Sequence, residues 1–339
     1  MPDWPVSAVH FASSRPSGRI SLEKEAQVAM TKSAILLIVL PSILWFPEQE
    51  LRNPAASQAP PSGRTASSGS LRQIIPGHYV YSTTTAGRIF NSGVIVTNEG
   101  ALVVDALDSE AIARAERESI SSTTKQSVRY LVSSSFHDPF SKGNIAYADV
   151  FKIGHENYGA GLLDQMKRGG ASAEEQRSRL PAATFRDRMT LYVGGKEIQI
   201  LHFGPAHTRG DSIVFVPQDR IAYLSEVFFS EEFPNMAQGY GVSWLRVLDA
   251  VEALGADIFV PGHGPIPEDP RETRPGLRRM RQILIDARDA IQNGIARGAT
   301  EDQAVAAVTL QQYEKLPTYA AQRETTVRRM YKELTGTLP

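Results

Sequence analysis

The sequence predicts an α/β fold of four layers, an αββα sandwich with extra helices at its C-terminal end. Three observations lead there. Short apolar segments of strand character come in two runs, each followed by residues at helical spacing. Two turns, Asn98-Glu99-Gly100 and Gly194-Gly195, have the chemistry that folds adjacent segments into hairpins. Two runs of strands, each with its own helix, argue for two covered sheets rather than one parallel sheet.

The elements follow in chain order from about residue 76. Tyr79-Val80-Tyr81 and Gly93-Val94-Ile95-Val96 are short apolar strands, and the second turns into Ala101-Leu102-Val103-Val104-Asp105. A helix over about 109–120 places Ile112, Ala115 and Ile120 on one side, and 128–132 is a strand leading to the loop 135–144. Beyond it lie a strand at 150–153, a polar helix at about 160–169, the hairpin 190–193/198–201, and strands at 212–216 and 221–224. Ser243 is placed to cap a helix in which Trp244, Val247, Leu248, Val251 and Leu254 recur at helical spacing, with Gly255 ending it. The last strand, 258–260, hands over to His263. Leu277, Met280, Leu284, Ala287 and Ile291 then form an amphipathic stripe, Thr300-Glu301-Asp302-Gln303 opens a further helix as a capping box, and Val327, Met330, Tyr331 and Leu334 mark a final one. These stripes need a partner surface, so the region 269–339 is expected to pack on the sandwich.

Composition narrows the chemistry. With Lys+Arg 36 against Asp+Glu 37 and no basic stripe with interleaved aromatics, nothing calls for a nucleic-acid partner. Cysteine is absent, which excludes disulfides, thiolate ligands and a cysteine nucleophile. Any metal must be held by imidazole and oxygen. The seven histidines include His10, His78, His155 and His202, which are read as surface or strand-end residues.

The N-terminal part reads differently. Residues 34–46 are apolar apart from Pro41 and Ser42, with Lys32 just before them; thirteen residues are short against the ~20 of a membrane span and suit the centre of a secretion signal. The expected organisation is an N-terminal extension (1–29), a signal-like segment (30–50), a flexible Pro/Ser/Ala/Gly-rich linker (51–75), the sandwich domain (76–268) and the C-terminal helical region (269–339). The domain is expected to be exported, periplasmic or secreted, or anchored to a membrane through 34–46, the only membrane attachment expected.

Three segments carry the chemistry: Ser135-Phe136-His137-Asp138-Pro139-Phe140-Ser141-Lys142-Gly143-Asn144, Gly204-Pro205-Ala206-His207-Thr208-Arg209-Gly210-Asp211 and Pro261-Gly262-His263-Gly264. Together they resemble the metallo-β-lactamase superfamily, whose first loop reads His-x-His-x-Asp-His-x-x-Gly-Asn. The resemblance covers about 76–266 and implies the four-layer sandwich with one or two metal ions, usually zinc, at one rim. Anchored on Gly143-Asn144, the loop has lost three ligand positions: Ser135 stands for the first His, Pro139 for the Asp and Phe140 for the last His. His137 and His207 match two ligands, Ser225-Glu226 stands where a Gly-Asp pair supplies a bridging carboxylate, and His263 matches the final His. The resemblance therefore implies His137, His207, Glu226 and His263 as metal ligands, with Asp105 supporting them from behind and Asp211 bracing its loop.

Three functions are open at this point. The first is a hydrolase with one ion, zinc by the donor set, cleaving an ester, thioester, lactone or amide at reduced or altered rate, with Glu226 orienting the nucleophile in place of the lost Asp. The second is a non-catalytic descendant that holds a small ligand or partner in the old groove. The third is an iron-dependent oxygenase using two His and a carboxylate. Segment 230–241, with Phe233, Pro234, Met236 and Tyr240, is expected to overhang the groove.

Overall fold

Strands β3 (Arg88–Thr97) and β4 (Gly100–Val104) form the hairpin expected at Asn98-Glu99, and their side chains alternate between two faces. Val94, Ala101 and Val103 point one way, onto Ala113 and Ile120 of helix α1 (Glu110–Thr124). Ile95, Leu102 and Val104 point the other way, into a core shared with strands from the second half of the chain. The same alternation governs β10 (Ile213–Val216), β11 (Ile221–Phe229) and β12 (Ile258–His263). Val214, Val216, Ile221, Tyr223, Ile258 and Val260 enter the shared core, while Ile213, Phe215, Ala222, Leu224 and Phe259 face helices. Helix, sheet, sheet and helix therefore stack with three apolar interfaces between them, the four-layer α/β sandwich expected from the sequence.

The computed structural model describes residues 69–338. The extension 1–29 and the signal-like segment 30–50, with its apolar run 34–46, lie outside the described residues. So does most of the expected linker. Its last residues differ from expectation: β1 (Ser70–Ile75) pairs antiparallel with β2 (His78–Thr85), which pairs with β3. The Gln73-Ile74-Ile75 stretch, with Gly77 at φ +79°, supplies the apolar residues and the tight turn this strand needs.

The remaining elements are β5 (Val128–Ser133), α2 (Asp138–Ser141), β6 (Phe151–His155), α3 (Glu156–Arg168), α4 (Ala173–Arg179), β7 (Ala183–Phe185), β8 (Arg188–Val193), β9 (Lys196–Leu201), α5 (Gly241–Ala253), α6 (Thr273–Ala296), α7 (Glu301–Ala307) and α8 (Tyr319–Leu334). The strands run in the order β7-β6-β5-β4-β3 and then β12-β11-β10-β9-β8. Among the described residues a single ladder pair, Phe90 with His263, links the strands of the two halves, beside the apolar core they share. Strands β4 to β7 are mutually parallel, as are β11 and β12; Asp105, Ser135 and His263 come at or just past C-terminal strand ends, and Glu226 follows the irregularity inside β11. That is the rim at which parallel sheets place their sites.

Helix α5 starts two residues before Ser243, so Ser243 does not cap it. The free amides of Val242 and Ser243 donate instead to Glu333 of α8, at 2.9 and 2.8 Å. A carboxylate there serves the orphan N–H groups and the positive end of the helix at once. Gly255, at φ +71°, ends α5 as expected. Thr300 and Gln303 form the capping box of α7. The C-terminal helices pack on the outer face of the second sheet: Leu277, Met280, Leu284, Ala287 and Ile291 of α6 and Val327 and Met330 of α8 join Trp244, Val247 and Leu248 in one core.

Candidate metal centre

Five loops and strand ends deliver the site, and two close backbone approaches hold them. The segment after β5 carries Ser134, Ser135 and His137 into α2, where Pro139 occupies the first turn, the one helical position that tolerates its missing N–H. Gly143 anchors this segment: a Cβ there would lie 1.8 Å from the carbonyl oxygen of Ala106. On the facing sheet, β11 is irregular around Ser225, which takes φ +48° and breaks register with β12. Such a bulge re-aims the following side chain, here Glu226. Gly262 permits it, since a Cβ would sit 2.4 Å from the carbonyl carbon of Ser225.

Asp105 fastens the two sides together. It is fully buried at φ +69°; its Oδ1 accepts from the Ser134 amide (2.8 Å) and its Oδ2 from the hydroxyls of Ser134 (2.7 Å) and Ser225 (2.6 Å). It thus braces the neighbours of Ser135 and Glu226 without facing the site itself. Burial pushes its carboxyl up to about 7 despite those three bonds. Asp211 accepts from the amide (2.7 Å) and hydroxyl (2.6 Å) of Thr208 and braces the His207 loop, as expected; burial raises it as well.

Glu226 is the meeting point. Its Oε2 accepts from the Ser135 hydroxyl and lies 3.0 Å from His137 Nδ1 and 3.2 Å from His207 Nδ1, while Oε1 lies 3.2 Å from His263 Nε2. All four expected ligands are therefore brought to one place, and Ser135, in a lost ligand position, touches the same carboxylate. Burial alone would raise the Glu226 pKa, but the imidazoles of His207 and His137 outweigh it and hold the carboxyl well below the usual range. For His137, burial works against protonation, and Glu226, helped by Asp211 and Gln238, turns the net shift upward.

The four are not equivalent. His263 Nδ1 lies 3.1 Å from Arg88 Nη2. A guanidinium only donates, so Nδ1 accepts and a neutral ring carries its proton on Nε2, aimed at Glu226. Burial, with Arg88 adding to it, lowers the His263 pKa against the pull of Glu226. Both nitrogens of His263 are thus engaged, and its ring stacks on Phe229 at 4.2 Å. His263 faces Glu226, and its nitrogens are not part of the tighter group formed by His137, His207 and Glu226.

His207 is the opposite case. It is fully buried beside Trp244 and Phe229, yet neither ring nitrogen makes a hydrogen bond; the 3.2 Å approach to Glu226 is not aligned for one. A buried polar group without a partner costs ~1–3 kcal/mol. Ligand atoms of His137, His207 and Glu226 all lie within 4.8 Å of one another. Two imidazoles and a carboxylate facing one point, one of them otherwise unsatisfied, fit a single ion with a position left for water or substrate.

The other lost positions have been absorbed into packing. Phe140 is fully buried with Phe90, Leu107 and Ile112, its ring against His263 at 5.1 Å. Pro139 lines a cavity of about 320 Å³ that reaches His137, Glu226 and His263, together with Arg88, Asp138, Gln165, Asn235 and Gln238, while His207 lies buried beneath it. Asp138 sits at its rim, 2.5 Å from Gln165 Nε2 and 3.0 Å from Lys142 Nζ. Segment 230–241 contributes Asn235, Ala237 and Gln238 to the cavity, but Phe233 and Met236 turn into the core, where their apolar bulk is buried. Sequence reasoning missed Arg88, held by Glu232 at 2.6 Å, because it lies far from every ligand segment in the chain; only the pairing of Phe90 with His263 brings it in.

The profile of the metallo-beta-lactamase superfamily matches residues 87–263, just over half of the chain. The chain belongs to the metallo-beta-lactamase superfamily. Among curated relatives of this superfamily protein, the linear primary-alkylsulfatase of Pseudomonas sp. (strain ATCC 19151) is 28% identical over 167 residues, 45% of this chain. The 2,4-dinitroanisole O-demethylase subunit alpha of Nocardioides sp. (strain JS1661) is 26% identical over 78 residues, 23% of this chain. The matches span only 31% and 24% of those relatives' own lengths. A metallo-beta-lactamase from Pontibacter korlensis shares the fold at a TM-score of 0.54 and 19% identity, over 64% of this chain and 99% of that one. The metallo-beta-lactamase FIM-1 from Pseudomonas aeruginosa, in its mono-zinc form, does so at 0.51 and 18%, over 63% and 95%.

Proposed function

We propose that this superfamily member is a single-metal hydrolase of an ester-type bond: an ester, thioester, lactone or amide, with a sulfate monoester added by the similarity to the alkylsulfatase. The observation that carries the reading is His207, fully buried, unbonded, and facing His137 and Glu226. Those three would hold the ion, zinc by the donor set. Such an ion lowers the pKa of bound water toward ~7 and polarises the scissile group. The rest falls to the protein. His263, its tautomer set by Arg88, holds Glu226 in place through Oε1. Among the described residues Arg88 is the one arginine or lysine lining the cavity, and it faces any negative charge that develops there. With Pro139 where an acid is lost, Glu226 and, at the rim, Asp138 are the carboxylates that would orient a nucleophile. A site without a dedicated base forfeits ~10²–10⁴ in rate, so turnover is slow.

A second reading has its own support. Glu226 already accepts from Ser135, His137 and His263, so most of the cluster is satisfied internally. That favours a ligand-binding descendant without an ion. The donor set of two imidazoles and a carboxylate also suits iron, which keeps the oxygenase reading in the test. Metal content of the purified protein, followed by a panel of chromogenic acyl and sulfate esters, separates them. Zinc at about one equivalent with hydrolysis abolished by His207→Ala is expected. Iron with oxygen uptake supports the oxygenase, and absence of both metal and turnover the binding protein.

A further inference from the structure

A second cavity, of about 270 Å³, lies on the α6 side of the site and shares no lining residue with the first. Its apolar lining is Phe229 from the end of β11, Met280 and Ile283 from α6, and Leu316 from the segment before α8. Four charged side chains also line it, Arg279 and Lys315 against Glu231 and Glu232, so the lining charge cancels. The volume falls just under the ~300–1,000 Å³ of pockets that take drug-sized ligands, which limits an occupant to one or two fused rings.

The wall of this cavity is also the backing of His263. The Phe229 ring stacks on the His263 ring, centroids 4.2 Å apart and planes 8° from parallel, and lies 5.4 Å from the His207 ring. Next along the chain, the Ser230 amide donates to the His263 carbonyl at 2.9 Å, and a Cβ on Gly264 would lie 1.8 Å from the Ser230 carbonyl oxygen. Glu232 then holds Arg88, the guanidinium that touches His263 Nδ1. From α6, the Met280 sulfur accepts from the Phe229 amide at 3.2 Å. Phe229 and Glu232 are therefore shared: they line the cavity and touch His263 or the arginine that sets its tautomer.

We propose that this cavity binds an uncharged, compact aromatic molecule, and that its occupant bears on His263 through Phe229 and Glu232. An apolar lining with an aromatic ring and a polarisable sulfur favours an aromatic body over a polar one. With the lining charge cancelled, neither an anion nor a cation recovers its desolvation cost there. Packing a ring against Phe229 changes the contact that Phe229 makes with His263, since close-packed interiors transmit displacement rather than absorb it. Binding does not rest on the hydrolase reading; only the step from occupant to effector of turnover does.

The test uses the full chain, stripped of metal with chelator so that catalysis plays no part. Titration calorimetry compares uncharged indole with anionic indole-3-acetate and cationic tryptamine. Indole is expected to bind about tenfold or more tightly than either, because burying the charged group costs more than the ring contacts return. Leu316→Trp fills the cavity with its own ring and is expected to lower indole affinity by about tenfold or more. Leu316→Phe, a smaller filler, takes its place if thermal melts show that the first is not folded. In proton NMR the His263 ring signals, identified by their loss in His263→Gln, shift as indole saturates wild type and stay in place in the filled variant. No detectable indole binding, equal or tighter binding of either charged ligand, or indole affinity unaltered by the filler would overturn the proposal. Binding that leaves the His263 signals unmoved would overturn the link to the metal centre. A metal-free, inactive protein that still binds indole in this way would sink the hydrolase reading and leave the cavity standing.

Discussion

At Asp105 and Phe140 single side chains decide how the site behaves without touching a ligand. Burial raises the Asp105 carboxyl to about 7. An acid whose folded pKa exceeds its unfolded value of about 4 keeps a proton that the unfolded chain releases, so its contribution makes stability fall as pH rises from about 4 to about 7. Glu226 acts in the opposite sense: its depressed pKa gives stability that is present above about 4 and lost in acid. Denaturation of chelated protein across this range should show the decline, to which Glu116, pushed up to about 8 by burial, also contributes, and Asp105→Asn, which keeps a side chain of the same shape, should lessen it. A slope unchanged in the variant would place the titration elsewhere. Phe140 gives a sharper case. Restoring the lost ligand by Phe140→His puts a polar ring among Phe90, Leu107 and Ile112, and should cost about 2 kcal/mol in a denaturant melt. His137, His207, Glu226 and His263 were legible from their segments because spacing around Gly143-Asn144 and His207 survives. The division of labour among them was not, since the tautomer of His263 is set by Arg88, 175 residues away in the chain.

Among the elements, the bulge in β11 matters most. Ser225 and Gly262 approach so closely that Gly262→Ala drives a Cβ into backbone rather than into a side chain that can move aside. The expected effects are a loss of ~1–3 kcal/mol, read by urea unfolding, and weaker metal retention because Glu226 is displaced. Full retention of both would mean that the bulge relaxes without moving the carboxylate. Turn chemistry told most at this scale: the hairpins at Asn98-Glu99 and Gly194-Gly195, the Gly255 stop and the Thr300 capping box lie where their residues put them. The start of α5 did not follow its own sequence, because its cap comes from Glu333 in a distant helix. The loop 135–144 also hid a helical turn, α2, that begins at Asp138 with Pro139 in its first turn.

For the molecule as a whole, runs of strands and helical stripes pointed to two covered sheets, and the resemblance to the metallo-β-lactamase superfamily made that reading firm; the apolar cores on both faces of the sheets bear it out. What alternation cannot give is how the halves meet, and that contact, Phe90 with His263, is where the site lies. The C-terminal helices belong to the same body: Met330 is fully buried against α5, and Met330→Ala should cost about 2–4 kcal/mol in chemical denaturation. An unaffected midpoint would mean that α8 is dispensable to the core. The trio of His137, His207 and Glu226 is tested most directly by metal stoichiometry with and without His207. Purified full-length protein, loaded with zinc and dialysed, should retain about one equivalent per chain and lose ~5 °C of melting temperature on chelation. His207→Ala should retain none and melt indifferently to chelator. Wild type that holds no stoichiometric metal and ignores chelator would contradict an inherited metal centre.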